Sequence, residues 1–143
     1  MTLHLIKLCV GAESIEDLAQ WQAGRIREQK KKGKKPELIH VTRMTPKRKD
    51  ELLDGGSLYW VIKGQIAVRQ RLVALKPVTK NGVPHCGLVY EPKLVPLQRR
   101  AHRAFQGWRY LESADAPPDA RGKHGGAGLP EKLQAELVSL GLL

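Results

Sequence analysis

Residues 55–75, Gly-Gly-Ser-Leu-Tyr-Trp-Val-Ile-Lys-Gly-Gln-Ile-Ala-Val-Arg-Gln-Arg-Leu-Val-Ala-Leu, constrain the fold more than any other stretch of this chain. Val, Ile, Tyr and Trp dominate the stretch, Gly64 interrupts it once, and glycines precede it. That composition predicts two strands meeting at a tight turn. Leu58, Trp60 and Ile62 alternate onto one face of the first strand, with Tyr59, Val61 and Lys63 on the other. On the second strand Ile66 and Val68 are expected to share a face, with Ala67, Arg69 and Arg71 opposite. One side of the hairpin is then apolar and the other cationic. An isolated hairpin is marginal in water, so the remaining sequence must supply its neighbours.

Those neighbours are expected on both sides of it. Residues 3–10, Leu-His-Leu-Ile-Lys-Leu-Cys-Val, read as a first strand. Ser14, with Asp17 three residues on, resembles a capping box. Ile15, Leu18, Ala19 and Ile26 then recur at helical spacing, with Gln22 in the same stripe and Trp21 flanking it. Residues 37–42 form a short strand, and Thr45-Pro46 is expected to open a helix over 47–54 that closes at Gly55-Gly56. After the hairpin, Asn81-Gly82 is a strong turn signal, and residues 83–90 return as a strand. Residues 112–128 hold three acids, two prolines and four glycines and read as a flexible loop. Leu133, Leu137 and Leu140 stripe a C-terminal helix over 129–141. Strands bunched in the second half, not alternating with helices, predict an α+β fold with a small, strongly bent antiparallel sheet or a partly closed β-barrel, flanked by helices.

At 143 residues the chain is read as one domain. No apolar run approaches the roughly 18 residues of a membrane span, and the N-terminus lacks a signal peptide's basic start and cleavage site. The expected setting is the cytoplasm, away from membranes. Two cysteines, Cys9 and Cys86, read as buried thiols, and no pair of soft ligands stands at metal spacing, so no metal or cofactor is expected. The five histidines form no catalytic spacing, and neither a nucleophile elbow nor a phosphate-binding loop is present. The catalytic residues of any enzyme here are not legible in the sequence.

Charge speaks more clearly. Lys and Arg number 25 against 14 Asp and Glu, a net charge of +11. Ten cations between Gly55 and Leu111 face a single acid, Glu91. Such a balance favours phosphate-bearing partners. Three groupings could meet them. Lys63, Arg69 and Arg71 lie beside Tyr59 and Trp60 on the hairpin. Arg99, Arg100, Arg103 and Arg109 interleave with Phe105, Trp108 and Tyr110, an arrangement in which bases stack while guanidiniums hold phosphates; Phe105 and Trp108 also read as core anchors. Arg43, at the end of the strand carrying His40, faces Gly55-Gly56 as a weaker anion cradle. Residues 29–36, Gln-Lys-Lys-Lys-Gly-Lys-Lys-Pro, read as a mobile basic segment that adds affinity without discrimination.

Two resemblances follow. The stretch Gly-Gly-Ser-Leu-Tyr-Trp-Val-Ile-Lys-Gly with Val-Arg-Gln-Arg, and Phe-Gln-Gly-Trp-Arg-Tyr-Leu later, resemble a family of short uncharacterised alphaproteobacterial proteins, which implies no activity. More distantly, a helix ending in Gly-Gly, a strand, a turn and a long basic strand is similar in layout to the PUA-like superfamily with its ASCH and EVE branches. That resemblance implies a bent barrel linked to RNA or modified bases, with Arg43 and residues 55–63 beside the cleft. It also implies places for Thr42 and Lys63 in an amidohydrolase site whose glutamate this sequence does not supply. The expected function is nucleic-acid binding, most of all RNA. The alternatives are a small enzyme acting on a nucleotide or modified nucleoside, with a cleft near Thr42, Arg43, Trp60 and Lys63, and an interaction protein for an acidic protein surface.

Overall fold

A computed structural model describes residues 2–120; the expected C-terminal helix over 129–141 and the end of the expected loop lie outside the described residues. In chain order the elements are β1 (Leu3–Leu8), α1 (Ile15–Lys31), β2 (Leu38–Thr42), α2 (Lys49–Leu53), β3 (Ser57–Ile62), β4 (Gln65–Lys80), β5 (Val83–Tyr90), β6 (Val95–Ala101), β7 (Trp108–Glu112) and a 3₁₀ turn (Ser113–Asp115). The fold is α+β, built on one bent seven-stranded sheet in the order β2-β5-β4-β3-β1-β7, with β6 also paired to β4.

The long strand β4 makes the bend possible. Its first half pairs with β3 on one edge and β6 on the other, and its second half pairs with β5. Irregularities at Trp60/Val61, Ile66/Val68 and Leu72/Ala74 interrupt its ladders, and bulges of this kind turn a strand and increase its twist. Both flanking turns were legible. Lys63-Gly64 and Asn81-Gly82 have positive φ throughout (49° and 75°, 52° and 77°), the backbone of two-residue hairpin loops that match strand twist.

The sheet is mixed and open, where an antiparallel sheet or a closing barrel was expected. The α1–β2–α2 segment carries the chain from β1 to β3 as a crossover, so these two strands lie parallel, Leu5 beside Leu58 and Lys7 beside Trp60. The expected division of the hairpin into an apolar and a cationic face also needs correction. Every residue of β3 is buried. Leu58, Trp60 and Ile62 pack into the main core with Leu3, Leu5, Leu18, Leu52 and Leu88. Tyr59 and Val61 enter a second core with Ile6, Ile66, Leu97 and Leu111. The irregularity beside Ile66 also shifts the alternation, so Ile66 faces the second core while both Ala67 and Val68 face the first.

Helix α1 starts as read: the Ser14 hydroxyl accepts the Asp17 N–H (3.1 Å), and the Asp17 carboxylate accepts the Glu13 N–H (3.1 Å). Basic residues Lys30 and Lys31 are still helical. The Gln29 side chain then bonds both Glu37 N–H (2.6 Å) and Glu37 C=O (2.9 Å), which ties the end of α1 to the residue before β2 across the basic segment. Helix α2 is shorter than expected and starts later. The Tyr110 hydroxyl accepts the N–H groups of Lys47 (2.9 Å) and Arg48 (3.1 Å), bonding amides that would otherwise open a helix after Pro46. Residues 116–120, expected in the flexible loop, lie against β6. Gln98 N–H donates to Pro118 C=O and Ala120 N–H to Pro96 C=O, each at 2.9 Å, and Pro117 is buried.

Candidate binding cavity and cationic surface

Strands β1 and β3 are parallel, and α1 begins just beyond their C-terminal ends, the place where α/β arrangements leave a crevice. A cavity of about 230 Å³ lies there. Its walls are Cys9, Val10, Gly11 and Ala12 from the loop after β1, Asp17, Leu18 and Trp21 from α1, His40 from β2, Trp60 from β3 and Tyr90 from β5. Trp60 is the hub. His40 meets it edge-on at 5.4 Å between ring centroids and Tyr90 at 5.9 Å. At the rim, Trp21 is 50% and Val10 86% exposed. The Arg25 guanidinium lies 4.9 Å from the Trp21 ring centroid.

A buried amide pair fixes the hub. Gln70 Oε1 accepts both the Trp60 indole N–H and the Gln22 amide, each at 2.9 Å, and Gln70 Nε2 donates to Gln22 Oε1 (2.7 Å) and Glu91 C=O (3.0 Å). Gln22 also hydrogen-bonds Tyr90. Both Trp60 and Tyr90 are thereby oriented by polar contacts as well as by packing.

The ionisable groups around the cavity are mostly neutral. Burial pushes the Cys9 thiol up to about 11, so it holds its proton and is a poor nucleophile at neutral pH. Burial first, then a smaller effect of Cys9, raises Tyr90 to about 12. Burial, and secondarily Lys7, holds His40 down at about 4. A His held below its unfolded value of about 6.5 disfavours the fold once the unfolded chain takes up a proton that the folded chain refuses. Stability is therefore fully present above about pH 6.5 and falls towards pH 4, by about 3 kcal/mol at the acid end for His40. Urea unfolding at pH 5 and pH 7.5 should show this loss, reduced in His40→Phe. An unchanged slope in the variant would assign the effect to His4, which is also shifted down by burial and Arg69.

His4 and Ser113 are 3.3 Å apart but are not a nucleophile and its base. His4 Nδ1 accepts the Ser57 N–H (3.0 Å), which leaves the neutral ring's proton on Nε2, facing the Ser113 hydroxyl; that hydroxyl donates to Thr2 C=O (2.8 Å). The pair ties β1 to the turn after β7.

The residues expected to bind nucleic acid are dispersed. Trp60 lines the cavity. Tyr59 is 5% exposed, inside the second core rather than on a surface. Arg69, opposite Tyr59, gives a bidentate pair to Asp119 (2.8 and 2.9 Å) and a bond to Ser57 (3.0 Å), and the Asp119 bond pushes its guanidinium further up from its already high value. Arg69 thus pins residues 116–120 rather than facing solvent. Arg100 is opposite Ile66 and Arg109 opposite Ile6, so both lie around the second core, where cross-strand neighbours share a face. Arg100 donates to Asp115 C=O (2.7 Å), and Arg109 lies 5.4 Å from the Phe105 ring centroid. Arg43, Arg71 and Arg103 are exposed, Arg99 is half-buried, and Lys63 at the hairpin tip pairs with Glu13 (3.7 Å), in the loop leading to α1. The cationic face exists as a margin around a small apolar core. Thr42 is buried, and neither it nor Arg43 lines the cavity. Trp108 and Tyr110 hold the 43–48 segment; Trp108 Nε1–H donates to Met44 C=O (2.8 Å).

Asp17, Trp21 and Tyr90 were not singled out as site residues, and His40 was named only in the strand end that leads to Arg43. Their one sequence signal was on α1, where an aromatic stands beside the apolar stripe and a glutamine within it. These features define a small α+β protein with a bent mixed sheet and an aromatic cavity at the end of its parallel strands. The chain belongs to the family described as Protein of unknown function (DUF1489), whose model matches residues 5–143. Comparison with curated proteins and with solved structures gave no match. Among the described residues, no helix is long and apolar enough to cross a membrane, and no cluster of His, Cys, Asp or Glu is placed to hold a metal ion.

Proposed function

We propose that the protein binds RNA, in the cytoplasm and as a distant PUA-like relative, through the outer face of α1 and the mouth of the cavity. The observation that carries this reading is the half-exposed Trp21 with Arg25 against its ring, on a helix whose later exposed residues are Arg27, Glu28, Lys30 and Lys31, three cations to one acid. Indole faces and guanidinium planes are both surfaces on which unstacked bases lie, and the cations beyond them meet phosphates. The arginines around the second core are a weaker candidate, because Arg69 is held by Asp119 and the margin has no exposed ring comparable to Trp21.

Fluorescence anisotropy with labelled single-stranded RNA, duplex RNA and single-stranded DNA tests this. Binding should favour single-stranded RNA and persist at near-physiological salt. Trp21→Ala should weaken it about tenfold or more, the value of one base–aromatic stack. Neutralising Lys30, Lys31, Lys32, Lys34 and Lys35 should flatten the salt dependence by up to about 0.7 per charge. Binding that vanishes at physiological salt, or that ignores Trp21→Ala, would reduce the interaction to bulk charge and overturn the reading.

A further inference from the structure

The cavity behind Trp21 has features that a general phosphate-binding surface does not need. Three rings, Trp60, Tyr90 and His40, stand in its wall, Tyr90 and His40 in edge-to-face contact with Trp60, and give a flat guest an aromatic surface to lie against. Its volume of about 230 Å³ is below the roughly 300–1,000 Å³ typical of pockets for drug-sized ligands. It therefore suits one ring system rather than a dinucleotide. Neither ring nitrogen of His40 has a hydrogen-bond partner among the described residues, so the neutral imidazole offers one donor and one acceptor. Asp17 adds an acceptor at the wall, since only its Oδ2 bonds Glu13 N–H.

Charge decides between the guests an aromatic cage could take. A quaternary ammonium group would suit the rings alone. However, Lys7 acts electrostatically on His40 and Arg25 on Tyr90, and Lys63 pairs with Glu13 in the adjoining loop. With Lys63 neutralised by Glu13 and the Asp17 carboxylate on the wall set against Lys7 and Arg25, the surroundings are close to balanced and suit a neutral ring.

We infer that this cavity is a receptor for one nucleobase, packed against Trp60, Tyr90 and His40 with Asp17 and His40 meeting its hydrogen-bonding edge. The kind of ligand rests on the nucleic-acid reading; the site itself does not involve the basic track along α1.

Isothermal titration with AMP, GMP, CMP and UMP at pH 7.5 is the test, using the full chain, Ala12→Leu to fill the cavity from its wall, and His40→Phe to keep the ring but remove its hydrogen bonds. Circular dichroism melts confirm that the variants are folded. One-to-one binding of at least one monophosphate, weakened tenfold or more by each variant, is the expected result. A parallel arm places 2-aminopurine within an oligouridine: quenching on binding identifies a base within a strand as the guest, and monophosphate binding without quenching identifies a free nucleotide. Failure of all four monophosphates to bind at millimolar concentration and of 2-aminopurine to be quenched would overturn the inference, as would binding indifferent to both variants. RNA binding retained alongside that failure would leave the α1 reading standing, and monophosphate binding without RNA binding would do the reverse.

Discussion

Gly56→Ala is expected to destabilise the protein by more than about 4 kcal/mol, in the range reserved for a few severe mechanisms. A Cβ at Gly56 would clash with the carbonyl oxygens of Leu52 and Leu3. Both obstacles are backbone atoms, so no rotamer change relieves the clash. Gly56 also donates to Leu52 C=O (3.0 Å) and accepts from Leu72 N–H (2.9 Å), which joins α2, β3 and β4 at one residue. Moving it would disturb the start of β3, where that strand begins its parallel pairing with β1. Gly55→Ala is the control. Its φ of 84° would strain a side chain, but a Cβ there meets no atom within 4 Å, so a loss of about 1–2 kcal/mol is expected. Guanidinium unfolding of the two variants gives the comparison. Equal losses at the two positions would show that backbone conformation, not the close approach of three elements, accounts for the second glycine.

The sequence already marked this junction as a helix end, yet not the reason Gly56 in particular is needed. That difference runs through the whole structure. Features set by neighbouring residues were legible: the Ser14 cap, the Asn81-Gly82 turn and the α+β class all follow from local backbone chemistry. Features set by distant partners were not. Whether β1 joins β3 in parallel depends on where the crossover from α1 to α2 takes the chain, which no local pattern records. The cationic hairpin face was read correctly by alternation near Tyr59 and Arg69, but its exposure was misjudged because Asp119, 50 residues away, neutralises Arg69 and brings residues 116–120 with it. The cavity was hardest to foresee. It takes walls from α1 and four strand regions, and each contributing residue has an ordinary core reading in isolation. Only Gln22, a polar side chain in an apolar stripe, and Trp21, an aromatic beside it, were out of place.

Gln22 leads to the second large effect. Gln70 is fully buried, and Gln70→Ala would remove its bonds to the Trp60 indole, both ends of the Gln22 amide and Glu91 C=O together. The loss combines a cavity with buried donors and acceptors left unmatched, each worth about 1–3 kcal/mol, so a total of about 4 kcal/mol is expected. Gln70→Leu restores much of the volume but still leaves Gln22 and Trp60 unmatched, so it should recover only part of that. Adding Gln22→Leu to Gln70→Leu removes the second amide and should regain stability, because replacing both partners of a buried hydrogen bond costs far less than removing one. The double variant would nevertheless free Trp60 and Tyr90 from the contacts that orient them, so monophosphate binding should remain weakened even where stability returns. Urea unfolding across the cycle, with Trp emission recorded alongside, separates the two consequences. Strictly additive losses from the two substitutions would mean that the amide pair is not a unit, and full recovery of binding in the double variant would mean that packing alone orients the rings.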